Sequence, residues 1–173
     1  MSRAFTKESD DDLVAGELPE RPVSAHANYV TPRGNEQLQA RVKALQEQHE
    51  KMAAQSGEDT AAKQKLREIE RDQRYFNAQL ERAMVVDPAG QPRDEVHFGA
   101  AVKILDAHGK ARRFAIVGDD EADVASGMIS WASPIAKAMI GAKVGDTVTW
   151  RRPAGNTEVE IVEISYPKEK RDR

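Results

Sequence analysis

Two adjacent acidic residues, Glu58 and Asp59, are the first candidates for chemistry in this sequence. They follow Ser56-Gly57, a turn-forming pair between two segments with a helical pattern. Two carboxylates at the end of a stiff helical rod could hold Mg²⁺ if a partner supplied the remaining oxygen ligands. A structural role explains the same residues, because acidic side chains in the first turn of a helix face its positive dipole end. The sequence alone favours the structural role.

Basic side chains form a second candidate surface, on the segment that follows the acidic pair. Lys63, Arg67, Arg71 and Arg74 fall, with Arg82, within one broad face at helical spacing. Such a face could contact the phosphates of a nucleic acid. Acidic residues are interleaved with it, as they would be for ordinary ion pairs within one helix. The sequence leaves both interpretations open.

Other chemistry has little support. The chain contains no cysteine, which excludes disulfides, thiolate metal sites and a cysteine nucleophile. It contains no glycine-rich phosphate loop, no HExxH and no GxSxG motif. The four histidines lie in different elements and lack the spacing of metal ligands; they are His26, His49, His97 and His108. We therefore predict no tightly bound cofactor and no catalytic activity of the chain's own.

Bulk composition narrows the class of protein. The chain has 173 residues, 39% hydrophobic and 32% charged, with a net charge of −3. It has no apolar run of membrane-spanning length, and its first residues lack the apolar core of a signal peptide. We expect a monomeric cytoplasmic protein that does not bind membranes.

Two helical segments position the candidate side chains. In the first, Thr31 is a good N-cap and Pro32 suits the first turn. Apolar positions then alternate in spacings of four and three, as in a coiled coil. The seam of the first helix is Leu38, Val42, Leu45, His49 and Met52, and that of the second is Leu66, Ile69, Gln73, Phe76, Leu80 and Ala83. Because a short turn joins the two segments, the pattern predicts an antiparallel coiled-coil hairpin over 31–84, its second helix running from Thr60 to Met84.

The helical pattern is absent on both sides of the hairpin. Residues 1–30 lack periodicity and predict a flexible arm, with an extended arm packed on the protein as the alternative. Prolines and a glycine end the helical pattern and predict a linker over 85–93. A strand pattern follows over 94–167, and 168–173 form a charged tail.

The strand-patterned region predicts a β-rich domain with one short helix. Val96–Leu105 and Arg112–Val117 form a hairpin, and an acidic loop follows over 118–127. Ser133-Pro134 supplies a cap and a first-turn proline for a helix that ends before Gly141. A last hairpin closes what we predict to be a twisted antiparallel sheet, so the fold class is α+β.

Several motifs in unbroken order resemble the bacterial GreA/GreB transcript-cleavage factors. They are YVTPRG (29–34), KLREIERDQRYF (65–76), VVDP (85–88), VHFGAAV (96–102), RRFAIVGDDEAD (112–123), ISWASPIAKAMIGAKVGDTVTW (129–150) and PAG (153–155). The resemblance covers about 29–167, and the block around Ser133-Pro134 is its most specific part.

This resemblance implies a coiled coil followed by a C-terminal domain of FKBP-like fold. In that family the C-terminal domain docks on the rim of the secondary channel of RNA polymerase, and the coiled coil enters the channel. Tip carboxylates there share a Mg²⁺ with the polymerase, which cleaves a backtracked transcript. By match, the docking segment comprises Trp131, Ala132, Ser133, Pro134 and Ile135. The basic face, Lys63, Arg67, Arg71 and Arg74, falls where the family contacts nascent RNA or the channel wall.

The tip departs from the family pattern. Cleaving members carry Gly-Asp-x-x-Glu-Asn-Ala, whereas this chain has SGEDTAAKQ with its two carboxylates adjacent. Both arms look shorter by about two helical turns, or about 11 Å. A short coiled coil on the same C-terminal domain resembles another branch, the regulator of nucleoside diphosphate kinase (Rnk).

Three functions follow as hypotheses. The first is a polymerase-binding factor that modulates elongation, with or without stimulating transcript cleavage. The second is a non-cleaving occupant of the channel that competes with other factors. The third, a prolyl isomerase, rests on fold analogy alone, which is a poor guide to function.

Overall fold

The computed structural model describes residues 18–55, 57 and 59–167. Two long helices precede a five-stranded sheet that carries one short helix, so the predicted α+β fold is confirmed. The predicted tail, 168–173, lies outside the described residues, as do residues 1–17 of the predicted arm. No helix in the described part of the chain is both long and apolar enough to cross a membrane.

Helices α1 (Pro32–Gln55) and α2 (Thr60–Glu81) form the hairpin. Contacts between them run in opposite directions along the chain, because Arg41 faces Phe76 while His49 faces Glu70. Of the predicted seam, Leu38, Leu45 and Ile69 are buried and the remaining members are half-buried. Burial of this one stripe holds together two helices whose other faces are charged.

A two-stranded parallel sheet closes the base of the hairpin. Strand β1 (Asn28–Val30) enters α1, and β2 (Ala83–Val85) leaves α2 beside it. The buried Asn28 side chain donates a hydrogen bond to the Gln79 carbonyl, at 2.8 Å. The prediction that α2 continues to Met84 was wrong, because pairing with β1 gives the backbone after Arg82 a better partner than a further helical turn. Strand β1 likewise lies within the predicted flexible arm.

The C-terminal sheet has the strand order β5-β4-β3-β7-β6. Its strands are β3 (Ala101–Asp106), β4 (Ala111–Val117), β5 (Met128–Ser130), β6 (Thr147–Trp150) and β7 (Thr157–Ser165). The sheet is mixed and not wholly antiparallel as predicted, since β4 and β5 run parallel. The acidic segment between them forms two 3₁₀ turns, which reverse the chain so that β5 can run parallel to β4.

The first strand of this sheet begins later than predicted, at Ala101 and not at Val96. Gly99 has a φ of 85°, and a side chain there would collide with Pro88, so a turn forms before the strand. Helix α3 (Pro134–Met139) covers one face of the sheet. The core between them consists of Val96, Ala100, Val102, Ile104, Ile116, Ile129, Ile135, Ala136, Met139, Ala142, Val159 and Ile161.

Candidate functional site

One acidic 3₁₀ turn, Asp119–Glu121, joins the C-terminal domain to the start of the hairpin. The Glu121 carboxylate accepts hydrogen bonds from the Thr31 N–H at 3.0 Å, from the Thr31 hydroxyl and from the Gly118 N–H at 3.1 Å. Thr31 in turn caps α1, because its hydroxyl oxygen accepts from the Gly34 N–H at 3.0 Å. Negative charge at a helix N-terminus is favourable, so Glu121 adds an electrostatic attraction to the hydrogen bonds.

The same turn also holds the second helix. Asp120 accepts a hydrogen bond from the Tyr75 hydroxyl at 2.9 Å and another from the Gln79 side-chain amide at 2.6 Å. The turn therefore binds the start of α1 through the Glu121 carboxylate and binds α2 through the Asp120 carboxylate. We call Asp119–Glu121 the acidic clamp, and it fixes the direction in which the hairpin leaves the domain.

Aromatic side chains support the clamp on the adjoining surface. The Tyr29 ring lies 5.0 Å from the Trp131 ring and 6.0 Å from the Phe98 ring. His26 contacts Trp131 edge-on at 5.9 Å. Trp131, predicted as a docking residue, thus faces the base of the hairpin, and its buried indole N–H has no partner among the described residues.

The other predicted docking residues differ in their exposure. Ser133 caps α3 by accepting a hydrogen bond from the Ala136 N–H at 3.4 Å, and Ala132 is half-buried. Ile135 is only 4% exposed and belongs to the core. Pro134 alone of the five is exposed. The segment therefore exposes Pro134 at the surface, while Ser133 caps α3 and Ile135 packs in the core.

At the tip of the hairpin, Asp59 is the N-cap of α2, and its carboxylate accepts a hydrogen bond from the Ala61 N–H at 3.1 Å. This cap accounts for an acidic residue at position 59 without any metal. Glu58 lies outside the described residues. Within the described ranges, no group of three histidine or acidic side chains could hold a metal ion.

The predicted basic face divides into two parts. Lys63 and Arg67, near the tip, are exposed and form no ion pair with a described residue. Arg71 lies beside Asp72 at 3.3 Å, and Arg74 pairs with Glu20 through its Nε at 3.0 Å. The tip half of the face is therefore open to solvent, and the base half already has partners.

Those partners come largely from residues 18–27, which we call the N-terminal strap. The Arg21 guanidinium lies 3.9 Å from the Tyr75 ring centroid and 3.6 Å from the Asp72 carboxylate. Arg82 donates hydrogen bonds to the carbonyl of Ser24 at 2.9 Å. Pairing with Arg74 lowers the pKa of the Glu20 carboxyl. The described part of the predicted flexible arm is thus packed along α2, as in the extended-arm alternative.

The clamp makes stability depend on pH through Tyr75. Burial and the hydrogen bond to Asp120 raise the pKa of Tyr75 to about 12, against about 10 in an unfolded chain. Because the folded state keeps this proton longer, its stabilising contribution is complete below about pH 10 and is lost as the pH rises through about 12. We expect urea unfolding across this range to show a smaller loss of stability in Tyr75→Phe than in the unmodified chain. Equal losses would contradict the assignment, since the raised pKa of Tyr166 contributes to both proteins alike.

An antiparallel coiled coil clamped at its base to a small β domain defines a protein that presents the tip of a rod in a fixed direction. The family model for the C-terminal domain of the GreA/GreB transcription elongation factors matches residues 91–166. The GreB of Neisseria meningitidis serogroup A is 36% identical over 155 residues, which cover 82% of this chain and 95% of that protein. The GreA of Thermodesulfovibrio yellowstonii is 40% identical over 114 residues, 65% of this chain and 72% of that one.

A solved structure of the transcription factor Gfh1 is 27% identical and the match covers 82% of this chain and 99% of that one, with a TM-score of 0.39. The GreB match covers 82% of this chain, which is more than either the hairpin or the β domain contains alone. The chain belongs to the GreA/GreB family of transcription elongation factors.

Proposed function

We propose that this elongation factor binds bacterial RNA polymerase at its secondary channel and modulates backtracked or paused complexes. It acts in the cytoplasm as an accessory factor and not as an enzyme. The observation that carries the proposal is the 36% identity to a GreB across 95% of that protein. The clamped hairpin adds support, because a rod that must enter a pore has to leave its docking domain in one direction.

Docking through Pro134 gives the first test. Pro134→Glu leaves the core intact, since the side chain is exposed and an acidic residue suits the first turn of α3. It adds charge and bulk to the surface proposed to face the polymerase, so we expect retention on immobilised core polymerase to fall at least about tenfold, equivalent to about 1.4 kcal/mol. Val124→Glu, at a position 79% exposed, is the matched control and should bind normally. Equal retention of both variants would remove the docking assignment, and no retention of the unmodified chain would remove the proposed function.

Inside the channel, the open half of the basic face is the part suited to contact RNA or the channel wall. Lys63 and Arg67 carry exposed charges close to the tip, where such contacts would be made. Arg71 and Arg74 would first have to exchange partners within the protein. We therefore assign any nucleic-acid or channel contact to Lys63 and Arg67 before the other two.

Two observations favour a non-cleaving occupant of the channel as a second candidate. The alignment with GreB has 155 positions but covers 82% of this 173-residue chain, about 142 residues, so this chain lacks a residue at about 13 of the aligned positions. Asp59 is engaged in capping α2 through one of its carboxylate oxygens. A place in the Rnk branch stays a prediction. Mg²⁺, if shared at the tip, would supply Lewis-acid stabilisation of the cleaved phosphate.

A further inference from the structure

A cleft in the C-terminal domain lies apart from every residue that the proposed function uses. It has a volume of about 180 Å³ and opens between the β3–β4 turn and the strands β6 and β7. Buried Ile104 and Val159 line it together with Trp150. Two arginines, Arg112 and Arg152, also line it, beside the polar residues Asp106, His108 and Thr157.

Both guanidinium groups are held against the same indole ring. The Arg152 guanidinium lies 5.1 Å from the centroid of the Trp150 ring, and that of Arg112 lies 5.9 Å from it. Arg152 is also held by a hydrogen bond from its Nε to the Gly155 carbonyl, at 3.3 Å. Cation–π contacts of this kind restrict two flexible side chains without using up all their N–H donors. The arginines are therefore positioned in advance for a ligand.

The charge of the cleft favours an anion. In the part of the chain that the structure describes, no acidic side chain forms an ion pair with Arg112 or Arg152. Asp106 is the acidic residue of the lining, and its Oδ1 accepts hydrogen bonds from the backbone N–H groups of His108 and Lys110. Two positive charges thus line the cleft with one carboxylate, whose Oδ1 is engaged by the turn and whose charge interacts with that of Arg112, in a chain whose net charge is −3.

We propose that this cleft binds the phosphate group of a nucleotide between Arg112 and Arg152. Guanidinium forks match the geometry of phosphate oxygens, which they can contact with two parallel hydrogen bonds. The cleft is smaller than the roughly 300 Å³ at which pockets for whole drug-sized ligands begin, so it admits one phosphate group while the rest of the ligand extends outside. The phosphate belongs either to a free nucleotide or to a nucleic-acid strand, and the chemistry of recognition is the same.

The test is a binding titration with the full chain, free of polymerase, so that its failure leaves the proposed function untouched. The probes are inorganic phosphate, ADP and a short single-stranded RNA, each followed by intrinsic tryptophan fluorescence. We expect saturable binding of ADP or RNA, competed by phosphate and weakened about tenfold in Arg112→Gln and in Arg152→Gln. RNA binding much tighter than that of ADP would identify a strand as the source, and equal binding would identify free nucleotides.

A matched control lies on the same strand. Arg113 follows Arg112 in β4 but points to the other face of the sheet, where it pairs with Glu163 at 3.2 Å. Arg113→Gln removes the same charge without touching the cleft, and we expect it to bind within about twofold of the unmodified chain. Trp150→Phe should lose the fluorescence response, because Trp150 is the tryptophan that lines the cleft. The proposal is overturned if no probe shows saturable binding, or if Arg113→Gln weakens binding as much as the two cleft variants.

Discussion

Replacing the half-buried Glu121 with alanine is expected to loosen the hairpin from the C-terminal domain. The variant removes the acceptor of three hydrogen bonds and leaves the Thr31 N–H without its partner. Because hydrogen bonds to a charged group contribute about 1.5–3 kcal/mol each and are not additive, we expect a loss of about 3 kcal/mol in the free energy of unfolding. Urea denaturation measures this loss directly.

The loosening can also be seen as a change in geometry. The chain contains no cysteine, so Gln48→Cys and Thr149→Cys, both at exposed positions, would carry a unique pair of spin labels. We expect the distance distribution between the labels to broaden in Glu121→Ala. Asp123→Ala is the control, because among the described residues the Asp123 carboxylate accepts its hydrogen bonds from Ala125 and Ser126 in its own turn. An unchanged distribution in Glu121→Ala would show that the clamp does not set the direction of the hairpin.

Gly34 offers a double-mutant cycle on the same contact. A side chain at position 34 would overlap the Glu121 carboxylate, so Gly34→Ala should destabilise the unmodified protein. In the Glu121→Ala background that space is free, and the same change should stabilise α1 by up to about 1 kcal/mol, the usual difference between glycine and alanine in a helix. If Gly34→Ala lowers the free energy of unfolding in the unmodified protein and raises it in Glu121→Ala, the Glu121 carboxylate lies at the N-terminus of α1.

On a backtracked polymerase complex with Mg²⁺, we expect the chain to bind without shortening the transcript. Transcript cleavage requires a metal within a fraction of an ångström of its working position, and a misplacement of about 1 Å already costs about a hundredfold in rate. Arms shorter by about two turns each would hold the tip carboxylates about 11 Å away from that position. We further expect added chain to slow cleavage by a GreB present in the same reaction, because both would occupy one channel.

The control for the tip keeps the helix cap. Asp59→Ala would remove the acceptor for the Ala61 N–H and cost about 1 kcal/mol, so loss of activity could reflect a frayed helix. Asp59→Asn keeps an N-cap acceptor while removing the charge, and it is combined with Glu58→Gln. Transcript shortening by the unmodified chain that disappears in this double variant would contradict the non-cleaving function and support metal-assisted cleavage.

The hairpin could be predicted because its signal is local and repeated. Leu38, Leu45 and Ile69 fall on a seam that alternates spacings of three and four, and each of them is buried. The cap at Ser133 and the helix after it are equally local, since a capping residue and a first-turn proline stand side by side. These elements require no knowledge of distant parts of the chain.

The contacts that set the direction of the hairpin could not be predicted from local sequence patterns. Strand β1 pairs with residues that lie a whole hairpin away, and three residues are too few to show a period. Glu121 contacts Thr31 across 90 positions, and Arg74 contacts Glu20 across 54. In the sequence, a basic residue at helical spacing looks the same whether its partner is RNA or another part of the protein. Only the structure shows that Lys63 and Arg67 are exposed while Arg71 and Arg74 have partners within the protein.

Because β1 and β2 close the hairpin at its base, the direction of the rod and its length are set by different parts of the protein. The parallel pair and the acidic clamp act on the ends of α1 and α2 that are far from the tip, so they set direction without reference to length. Insertions or deletions at the free end that add or remove one heptad in each helix would preserve the seam. Each would change the reach by about 10 Å at 1.5 Å per residue. Evolution can therefore vary how deep such a protein probes while the direction of the probe stays constant.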